Sequence, residues 1–324
     1  MSKIIQKLKE KKLKGRSGSC FPTGKKWEII KAKKAKDKYI ICNGTEGEPN
    51  VFKDKYILEN YPEEVINGIK IAIDEISAKK AYIYLNKEYY KKFKDNLNKI
   101  IGDYPIELFQ TKEKYIAGEE TAACNTIEGK RTEAREKPPY PTEIGLWNSP
   151  TLINNIETFY FVSQIAKDKY EGTKFYCVAG EVDNKKVIEL PLNLTIKEVL
   201  AKTNNLPPFD FFVQVGGGAA GEVLLDSELN HKIKGLGSVI VYNKNKTDLY
   251  DFLKEKINFF HQENCNHCTP CREGLYRIKK MIDNKKINKD ILNDLFFAIE
   301  KTSRCPLGKT VMIPIKSALN KLNK

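Results

Sequence analysis

Three cysteines in the segment ENCNHCTPCREG, residues 263–274, constrain the fold most, because each is separated from the next by two residues. Thiolates are soft ligands that suit either tetrahedral zinc or an iron–sulfur cluster. Zinc sites usually contain two separated ligand pairs, whereas three clustered cysteines and one remote cysteine favour a [4Fe–4S] cluster. His261 and His267 leave zinc as the alternative. Only one cysteine follows the motif, so the predicted ligands are Cys265, Cys268, Cys271 and Cys305.

Composition excludes several other classes of protein. Eight cysteines in 324 residues are too few for a disulfide scaffold. The 56 Lys and Arg exceed the 42 Asp and Glu, but short scattered lysine runs are typical of a solvated surface rather than a nucleic-acid site. The basic N-terminus lacks the apolar core of a signal peptide, and no apolar run reaches the roughly 18 residues of a membrane span. We therefore expect a cytoplasmic protein that contacts neither nucleic acid nor membrane.

Residues 15–165 alternate apolar runs with turns, as expected of an α/β layer. Short strands are predicted at KYIICNG and KAYIYLN, and an amphipathic helix is predicted between them at PEEVINGIKIAIDEI. A strand, a helix and a strand in succession favour parallel pairing. The proline-rich stretch at residues 135–155 is expected to be neither a helix nor a central strand, and a loop of that length is usually functional.

The pattern changes twice after this layer. From about Lys174, strands are predicted at KFYCVAGEV, KKVIELP, FDFFVQVGGG and SVIVYN, with one helix at TIKEVLAKT. From Lys246 onward, amphipathic segments predict a helical bundle that carries the cysteine motif between two of its helices. A chain of this length usually forms two or three domains, and we expect them at residues 1–170, 171–245 and 246–324.

Polar turns in the first domain suggest a nucleotide site. The segment GRSGSCFPTGKKW combines glycines with cations, which suits a phosphate, although a plain glycine-rich turn would have the same composition. The segment CNGTEGEPNVFKD places two glutamates directly after a strand, where open α/β sheets bind ligands. Carboxylates near a nucleotide commonly accept hydrogen bonds from ribose hydroxyls. The polar side chains concerned are Glu46, Glu48, Glu119, Glu120, Asn154 and Asn155.

The sequence resembles the NADH-binding flavoprotein subunit of respiratory complex I in six ordered motifs, namely GRSGSCFPTGKKW, CNGTEGEPNVFKD, GEETAACNTIEGKR, KPPYPTEIGLWNSPTLINNIET, CNHCTPCREG and SRCPLG. Relatives of that subunit serve soluble NAD-dependent hydrogenases, electron-bifurcating hydrogenases and formate dehydrogenases. The resemblance covers essentially the whole chain. It implies a Rossmann-like FMN-binding α/β domain, then a ubiquitin-like β-grasp (SLBB) domain, then a C-terminal helical bundle that holds a [4Fe–4S] cluster.

The resemblance also implies an activity within a larger assembly. NADH would give a hydride to FMN, and electrons would then pass singly to the cluster and to partner subunits. Flavin suits this task because its chemistry links two-electron hydride transfer to one-electron transfer. The expected partners are a thioredoxin-like [2Fe–2S] subunit and a further iron–sulfur subunit of a hydrogenase, formate dehydrogenase or complex I-like assembly.

Positions that match the family motifs supply the expected site residues. Those implied to bind FMN are Gly15, Arg16, Gly18, Lys26, Asn43, Glu46, Gly118, Asn154 and Asn155. Those implied to hold NAD(H) are Phe21, Glu48, Glu120, Lys137 and Tyr140. Among the latter, the two glutamates are the expected catalytic residues. The implied cluster ligands are the same four cysteines that the spacing predicts.

Four positions depart from the family pattern. Ser17 and Cys20 replace glycines of a loop that usually reads GRGGAGFPTG, Thr45 replaces an aspartate, and Ile29 replaces an aromatic residue. The added side chains of the loop could crowd a backbone that must approach flavin or phosphate closely. These departures motivate an alternative in which the chain is a scaffold that keeps the fold and the cluster but has lost dinucleotide binding. A zinc-stabilised nucleotide-binding protein is a third interpretation.

Overall fold

One parallel and one mixed β-sheet define the two units into which the chain divides. The structure is a computed structural model and describes residues 3–112 and 114–322. The first unit contains the residues up to Gly47 together with Phe52–Phe175. The second contains Glu48–Val51 together with the residues from Tyr176 onward. The chain therefore passes between the units more than once.

Strands and helices alternate along the first unit, as predicted for an α/β layer. Its strands are β1 (Tyr39–Gly44), β2 (Lys80–Leu85), β3 (Ile106–Gln110) and β4 (Thr151–Asn155). Its helices are α1 (Lys3–Glu10), α2 (Thr23–Ala32), α3 (Lys53–Asn60), α4 (Pro62–Ile76), α5 (Lys87–Ile101), α6 (Glu120–Ile127) and α7 (Ile156–Ala166). Short 3₁₀ turns lie at Tyr115–Gly118 and Leu146–Asn148.

The order of strands in the first sheet creates the position for a ligand. All pairs are parallel, and the order is β3-β2-β1-β4. The chain adds β2 and β3 on one side of β1 and then adds β4 on the other side. A crevice opens at the carboxyl ends of the two strands where such a reversal occurs, and open α/β sheets bind their ligands there. The register pairs Cys42 with Asn154 and Asn43 with Asn155 at this point.

Helix α4 forms where apolar residues recur at helical spacing and face the interior. It begins with Pro62 at its first turn and ends at Ser77, which has a left-handed φ of 54°. Gly68 lies where α4 approaches α7 most closely, because a Cβ atom there would be 2.0 Å from the carbonyl oxygen of Phe159. The absence of a side chain at this position therefore sets the distance between the two helices.

The second sheet has five strands and one crossing helix, which is a β-grasp arrangement. The elements are β5 (Thr173–Gly180), β6 (Lys186–Pro191), α8 (Ile196–Lys202), β7 (Phe211–Val215), β8 (Glu222–Leu225) and β9 (Ser238–Asn243). The order is β6-β5-β9-β7-β8, with β5 parallel to β9 and β7 antiparallel to both β8 and β9. A capping box of Thr195 and Glu198 begins α8, and Val199 buries against Val178 and Val213 of the sheet.

Helices form the remainder of the second unit. They are α9 (Leu249–Glu263), α10 (Thr269–Asp283), α11 (Lys289–Thr302), α12 (Pro306–Thr310) and α13 (Met312–Leu322). The side chains of Asp248 and Asn288 cap α9 and α11 by accepting hydrogen bonds from backbone amides of the first turn. The three-cysteine motif occupies the connection from α9 to α10 and the start of α10. Cys305 lies in the connection from α11 to α12.

The predicted fold class is confirmed, including the parallel sheet and the helical C-terminus. Strand β8 was not expected, and the proline-rich stretch is a loop only as far as Pro150, because its last five residues form β4 at the sheet edge. The division of the second unit into domains at 171–245 and 246–324 stays a prediction. Among the described helices, none is both long and apolar enough to cross a membrane.

Substituting Gly68 tests the helix contact that holds α4 against α7. Gly68→Ala places a Cβ atom against backbone, so we expect a loss of about 1–3 kcal/mol in the free energy of unfolding. Urea unfolding followed by circular dichroism measures this change. Glu63→Ala on the exposed side of the same helix is the control, with an expected change within about 0.5 kcal/mol. Equal stability of the two variants would contradict the close approach.

Candidate functional site

Asparagine side chains lie at the carboxyl ends of β1 and β4, where the strand order predicts a crevice. Asn43 Nδ2 donates to the Gly118 carbonyl oxygen at 2.8 Å, and Asn43 Oδ1 accepts from Thr45 Oγ1 at 2.9 Å. Asn155 Nδ2 donates to the Asn43 carbonyl oxygen at 3.2 Å, and its Oδ1 caps α7 through the Glu157 amide. These bonds bring three of the predicted FMN residues, Asn43, Gly118 and Asn155, into one network.

The glycine-rich loop between α1 and α2 is closed at its base and open at its tip. A bridge between Lys14 and Pro22 and the hydrogen bond from the Gly15 amide to the Phe21 carbonyl oxygen, 2.9 Å, form the base. At Gly18 an added Cβ atom would meet no other atom within 4 Å, so this part of the loop faces open space. The loop therefore has room for a group that its backbone could approach.

Arg16 anchors the loop to the body of the first unit. Its amide donates to Thr158 Oγ1 at 3.0 Å, and its guanidinium donates to Tyr170 Oη and the Thr173 carbonyl oxygen, both at 2.8 Å. Arg16 Nε is buried, lies 3.9 Å from a Glu157 oxygen, and has no hydrogen-bond partner among the described residues. A buried unsatisfied donor of this kind fits the neighbourhood of an anionic cofactor.

Lys26 and Phe21 flank the same edge of the sheet. Lys26 Nζ donates to the Ile153 carbonyl oxygen of β4 at 3.1 Å and lies 5.9 Å from the centroid of the Phe21 ring. Burial lowers the pKa of Lys26, Glu120 opposes this shift, and Lys137 adds to it. Phe21 keeps 37% of its surface exposed, which leaves its ring available for stacking.

Two adjacent glutamates at the start of α6 make different contacts. Glu119 caps the helix by accepting from the amides of Thr121 and Ala122, both at 2.9 Å. Glu120 stays partly exposed, and Lys137 Nζ lies 2.8 Å from Glu119 and 3.0 Å from Glu120. Burial works to lower the pKa of Lys137, but the two carboxylates raise it above its ordinary value. Glu120 is therefore the glutamate of the pair whose carboxylate is available to accept a hydrogen bond from a ligand hydroxyl.

Glu46 binds the start of α3 immediately after β1. Its carboxylate accepts from the amides of Asp54 and Lys55 at 2.8 and 3.0 Å and from Tyr89 Oη at 2.7 Å. Burial and the charge of Asp54 raise the pKa of Glu46 to about 7, although Lys53 opposes the shift. Its φ of 34° is in the left-handed region, which is strained for a non-glycine residue.

A buried ionic network lies behind the asparagines. Lys53 Nζ is 2.6 Å from Asp54 and 3.1 Å from Glu157, and all three side chains are at most 3% exposed. These two carboxylates raise the pKa of Lys53 despite its burial. Nearby, burial lowers the pKa of Lys174 to about 8, with Glu157 opposing the shift and Arg16 adding to it. The three charged side chains of the network therefore neutralise one another away from solvent.

Sequence reasoning did not single out Lys53, Asp54, Glu157 or Lys174. The available signal was weak, because the run FKDK places opposite charges side by side, and Lys and Asp are buried in proteins almost only when they are paired. Lys174 gave a weaker signal, as a lysine at the start of a strand with an apolar sequence.

The departures from the family pattern take specific conformations. Cys20 replaces a loop glycine and has a φ of 49°, so it adopts the left-handed conformation that glycine adopts without strain. Its Sγ lies 3.8 Å from the Ser17 carbonyl oxygen. Thr45 turns its hydroxyl to Asn43, and a Cβ atom at Gly118 would lie 2.7 Å from that hydroxyl oxygen. The loop thus accommodates Cys20 at the cost of local backbone strain.

Glu48 belongs to the second unit. Its Oε2 accepts from the Ala219 amide at 2.8 Å, and a Cβ atom at Gly218 would lie only 1.8 Å from the Pro49 carbonyl oxygen. Lys256, which is 1% exposed, donates to the Gly218 carbonyl oxygen at 3.0 Å. Segment 48–51 is therefore held by a glycine-rich turn and a buried lysine. The predicted catalytic role of Glu48 stays a prediction, as does the dinucleotide role of Tyr140, whose ring is 53% exposed.

Two of the four predicted cluster ligands are buried, and the other two are partly exposed. Cys271 and Cys305 are each 6% exposed, whereas Cys265 and Cys268 are partly exposed. Cys268 is the N-cap of α10, with Cys271 in its first turn, and Cys305 is the N-cap of α12. No disulfide joins any of the eight cysteines, all of which are described.

The surroundings of the cysteines fit a cluster. Burial raises the pKa of Cys271 to about 12, and the charges of Cys305, Cys268 and Cys265 add to the shift, so the sulfurs lie within electrostatic range of one another. The described residues contain no group of three His, Cys, Asp or Glu placed to hold a single metal ion. Ser303 Oγ is buried beside the Cys271 sulfur, and it opposes the rise in the pKa of Cys271.

Two known families match the parts of the chain that contain the two candidate sites. The Nuo51 FMN-binding domain family matches residues 8–164, which contain the crevice at β1 and β4. The NADH-ubiquinone oxidoreductase-F iron–sulfur binding region matches residues 251–324, which contain the four cysteines. The fold and the sites thus define a flavin- and iron–sulfur-binding subunit, with FMN and a [4Fe–4S] cluster as its cofactors.

Similar individual proteins show which family the chain belongs to. The F 2 subunit of the NADH-quinone oxidoreductase of Rhizobium meliloti (strain 1021) is 31% identical over 98% of this chain and 86% of its own length. The HndC subunit of the NADP-reducing hydrogenase of Solidesulfovibrio fructosivorans is 32% identical over 98% of this chain and 74% of its length. A crystal structure of an NAD+-reducing [NiFe]-hydrogenase in the H2-reduced state matches with a TM-score of 0.92 and 28% identity, over 99% of this chain but 61% of that chain. The chain belongs to the family of F subunits of NADH-quinone oxidoreductases and their hydrogenase counterparts.

The raised pKa of Glu46 predicts a pH dependence of stability. The pKa of Glu46 is near its ordinary value of 4.5 in the unfolded chain and near 7 in the folded chain. Between these two pH values, the folded chain therefore binds the Glu46 proton more tightly than the unfolded chain does. Flavin-free protein is therefore expected to lose on the order of 3 kcal/mol of stability as pH rises from about 4.5 through about 7. In Glu46→Gln, the free energy of unfolding measured with urea should fall less as the pH rises. Glu143→Gln at the surface should leave that decline intact, and an unchanged slope in Glu46→Gln would refute the assignment.

Removing Cys305 tests the predicted ligand set. Cys305→Ala leaves three thiolates, so we expect iron per chain to fall below four and the helical region to lose thermal stability, since a bound metal site contributes folding energy. Iron is measured colorimetrically on protein purified without oxygen. Cys177→Ala, a buried cysteine of β5, should keep its iron. Full iron content in Cys305→Ala would remove Cys305 from the ligand set.

Proposed function

We propose that this chain is the diaphorase-type subunit of a larger oxidoreductase, in which NAD(H) exchanges a hydride with FMN and electrons pass singly between FMN, the [4Fe–4S] cluster and partner subunits. The observation that carries the proposal is the group of polar side chains at the switch point of the strand order between β1 and β4, namely Asn43, Asn155 and Lys26, in a chain that also has the four-cysteine region. Flavin supplies the conversion between a two-electron hydride and single electrons.

The residues of the crevice bind and orient rather than transfer protons. Asn43 Nδ2 donates to the Gly118 carbonyl oxygen and keeps one N–H, in a fixed direction, for a polar ring or a ribityl chain. Asn155 already uses both of its N–H groups and its carbonyl oxygen within the protein, so it fixes the ends of the strands. The open tip of the loop at Gly18 suits the close approach of a phosphate. Lys26 is the nearby cation, and Arg16 anchors the loop to the body of the unit.

Dinucleotide binding is proposed for the rim of the crevice. Glu120 is positioned by Lys137, which fixes one carboxylate oxygen and leaves the other side accessible to ribose hydroxyls. Phe21 offers an exposed ring face for stacking, and Tyr140 offers a second one. Orienting the nicotinamide over the flavin is the main contribution expected of these side chains, since hydride transfer needs reacting atoms about 3–3.5 Å apart.

Membership of the family supports action within an assembly. One relative belongs to an NADH-quinone oxidoreductase, and another belongs to an NADP-reducing hydrogenase. We propose partners of the same kind for this chain, namely a thioredoxin-like [2Fe–2S] subunit and a further iron–sulfur subunit of a hydrogenase, formate dehydrogenase or complex I-like complex in the cytoplasm.

A second candidate function follows from the altered loop. The left-handed conformation of Cys20 places a side chain where the family has none, which favours a scaffold that keeps its cofactors but does not bind a dinucleotide. The two functions differ in a single property, the reduction of the flavin by NADH or NADPH.

An anaerobic absorbance experiment separates these functions. Purified protein is expected to show flavin and iron–sulfur absorbance that bleaches on addition of NADH, and stopped-flow measurement gives the rate. Glu120→Gln should retain FMN but lower the apparent rate about tenfold, because the ribose loses a charge-assisted hydrogen bond. The exposed Glu143→Gln serves as control. Intact absorbance that neither NADH nor NADPH bleaches would favour the scaffold, and a colourless zinc protein would overturn both functions.

A further inference from the structure

A buried serine lies directly beside the predicted cluster ligands. Ser303 is 5% exposed, and its amide closes α11 by donating to the Ile299 carbonyl oxygen at 3.0 Å. An added Cβ atom at Gly308 would lie 2.2 Å from Ser303 Oγ and 3.3 Å from Cys271 Sγ. The hydroxyl and the thiol therefore border the same small space, which the missing side chain of Gly308 keeps open.

The hydroxyl of Ser303 has no oxygen or nitrogen partner that would explain its burial. Its Oγ makes no hydrogen bond to such an atom of any residue that the structure describes, whereas other buried hydroxyls such as Thr203 Oγ1 donate to a backbone carbonyl of the preceding turn. A buried hydroxyl without a hydrogen-bond partner is destabilising, so its presence here calls for a partner. The group beside it is the Cys271 thiol, and a cluster at the cysteines would bring further sulfur acceptors into this space.

We propose that Ser303 is a tuning residue that donates a hydrogen bond from Oγ to a sulfur of the bound cluster, either Cys271 Sγ or an adjacent inorganic sulfide. This inference rests on the proposed ligand set but not on NADH as electron donor. Hydrogen bonds to the sulfurs are among the factors that set the reduction potential of a cluster. One-electron reduction adds negative charge to the cluster, so a donor stabilises the reduced state and raises the potential.

Three features of the fold keep the hydroxyl in place. The residue ends α11 with extended backbone, which turns the chain toward Cys305 two positions later. Gly308, in the first turn of α12, leaves room for the side chain. Arg304 and Cys305 follow without an intervening glycine, so the backbone has little freedom to move the serine away.

Redox titration with chemical mediators tests the proposal without using NADH. Ser303→Ala should retain four irons per chain and become about tenfold harder to reduce, which corresponds to a midpoint potential about 59 mV more negative for one electron. Ser303→Thr keeps the hydroxyl and should titrate close to the unsubstituted protein. Thr302→Ala, whose exposed hydroxyl donates to the Ala298 carbonyl oxygen, is the matched control and should not shift the potential.

The outcomes separate this inference from the proposed function. A fully loaded Ser303→Ala with an unchanged potential overturns the hydrogen bond and leaves the proposed function standing. If that variant loses its cluster, pulsed EPR of the reduced unsubstituted protein in H2O and D2O decides. A coupled exchangeable proton that Ser303→Thr preserves supports the proposal, and the absence of any such proton overturns it. Unsubstituted protein that binds no cluster would overturn the ligand set and this inference together.

Discussion

The pairing of Lys53 with Asp54 and Glu157 is the interaction on which the flavin-binding unit depends. It ties α3 to α7 inside the unit, and Asn155 joins it by donating to Asp54 at 2.5 Å. Glu46 is held by the same helix start that presents Asp54. Breaking a buried pair leaves an uncompensated charge, which costs about 3–5 kcal/mol. The network therefore holds the residues at the ends of β1 and β4 in a fixed geometry.

Much of the fold could be predicted from local pattern. The runs YIIC in β1 and AYIYL in β2 are mainly apolar, as expected of strands buried on both faces, and the stripe of isoleucines in α4 has the helical period. The amphipathic segments predicted that the cysteine motif lies between two helices, where the structure places it. Strand β8 was missed because it is only four residues long and begins with an exposed glutamate, so it lacks a distinctive period.

The candidate site was less predictable than the fold. Asn43, Gly118 and Asn155 converge only because β4 pairs with β1 across more than a hundred residues of chain, which no local pattern reveals. Lys53 and Lys174 look like two of many surface lysines in a basic sequence, and only tertiary burial distinguishes them. The strain at Cys20 is likewise a property of the folded loop, since cysteine itself has no preference for positive φ.

The placement of residues 48–51 has a consequence for how the protein is made. Glu48 finds its partner, the Ala219 amide, 171 residues further along the chain. At a synthesis rate of about 5–20 residues per second, the segment waits on the order of ten seconds or more for the turn that receives it. During translation all residues of the first unit are therefore synthesised before residues 48–51, which interrupt that unit in the sequence, meet the turn that holds them.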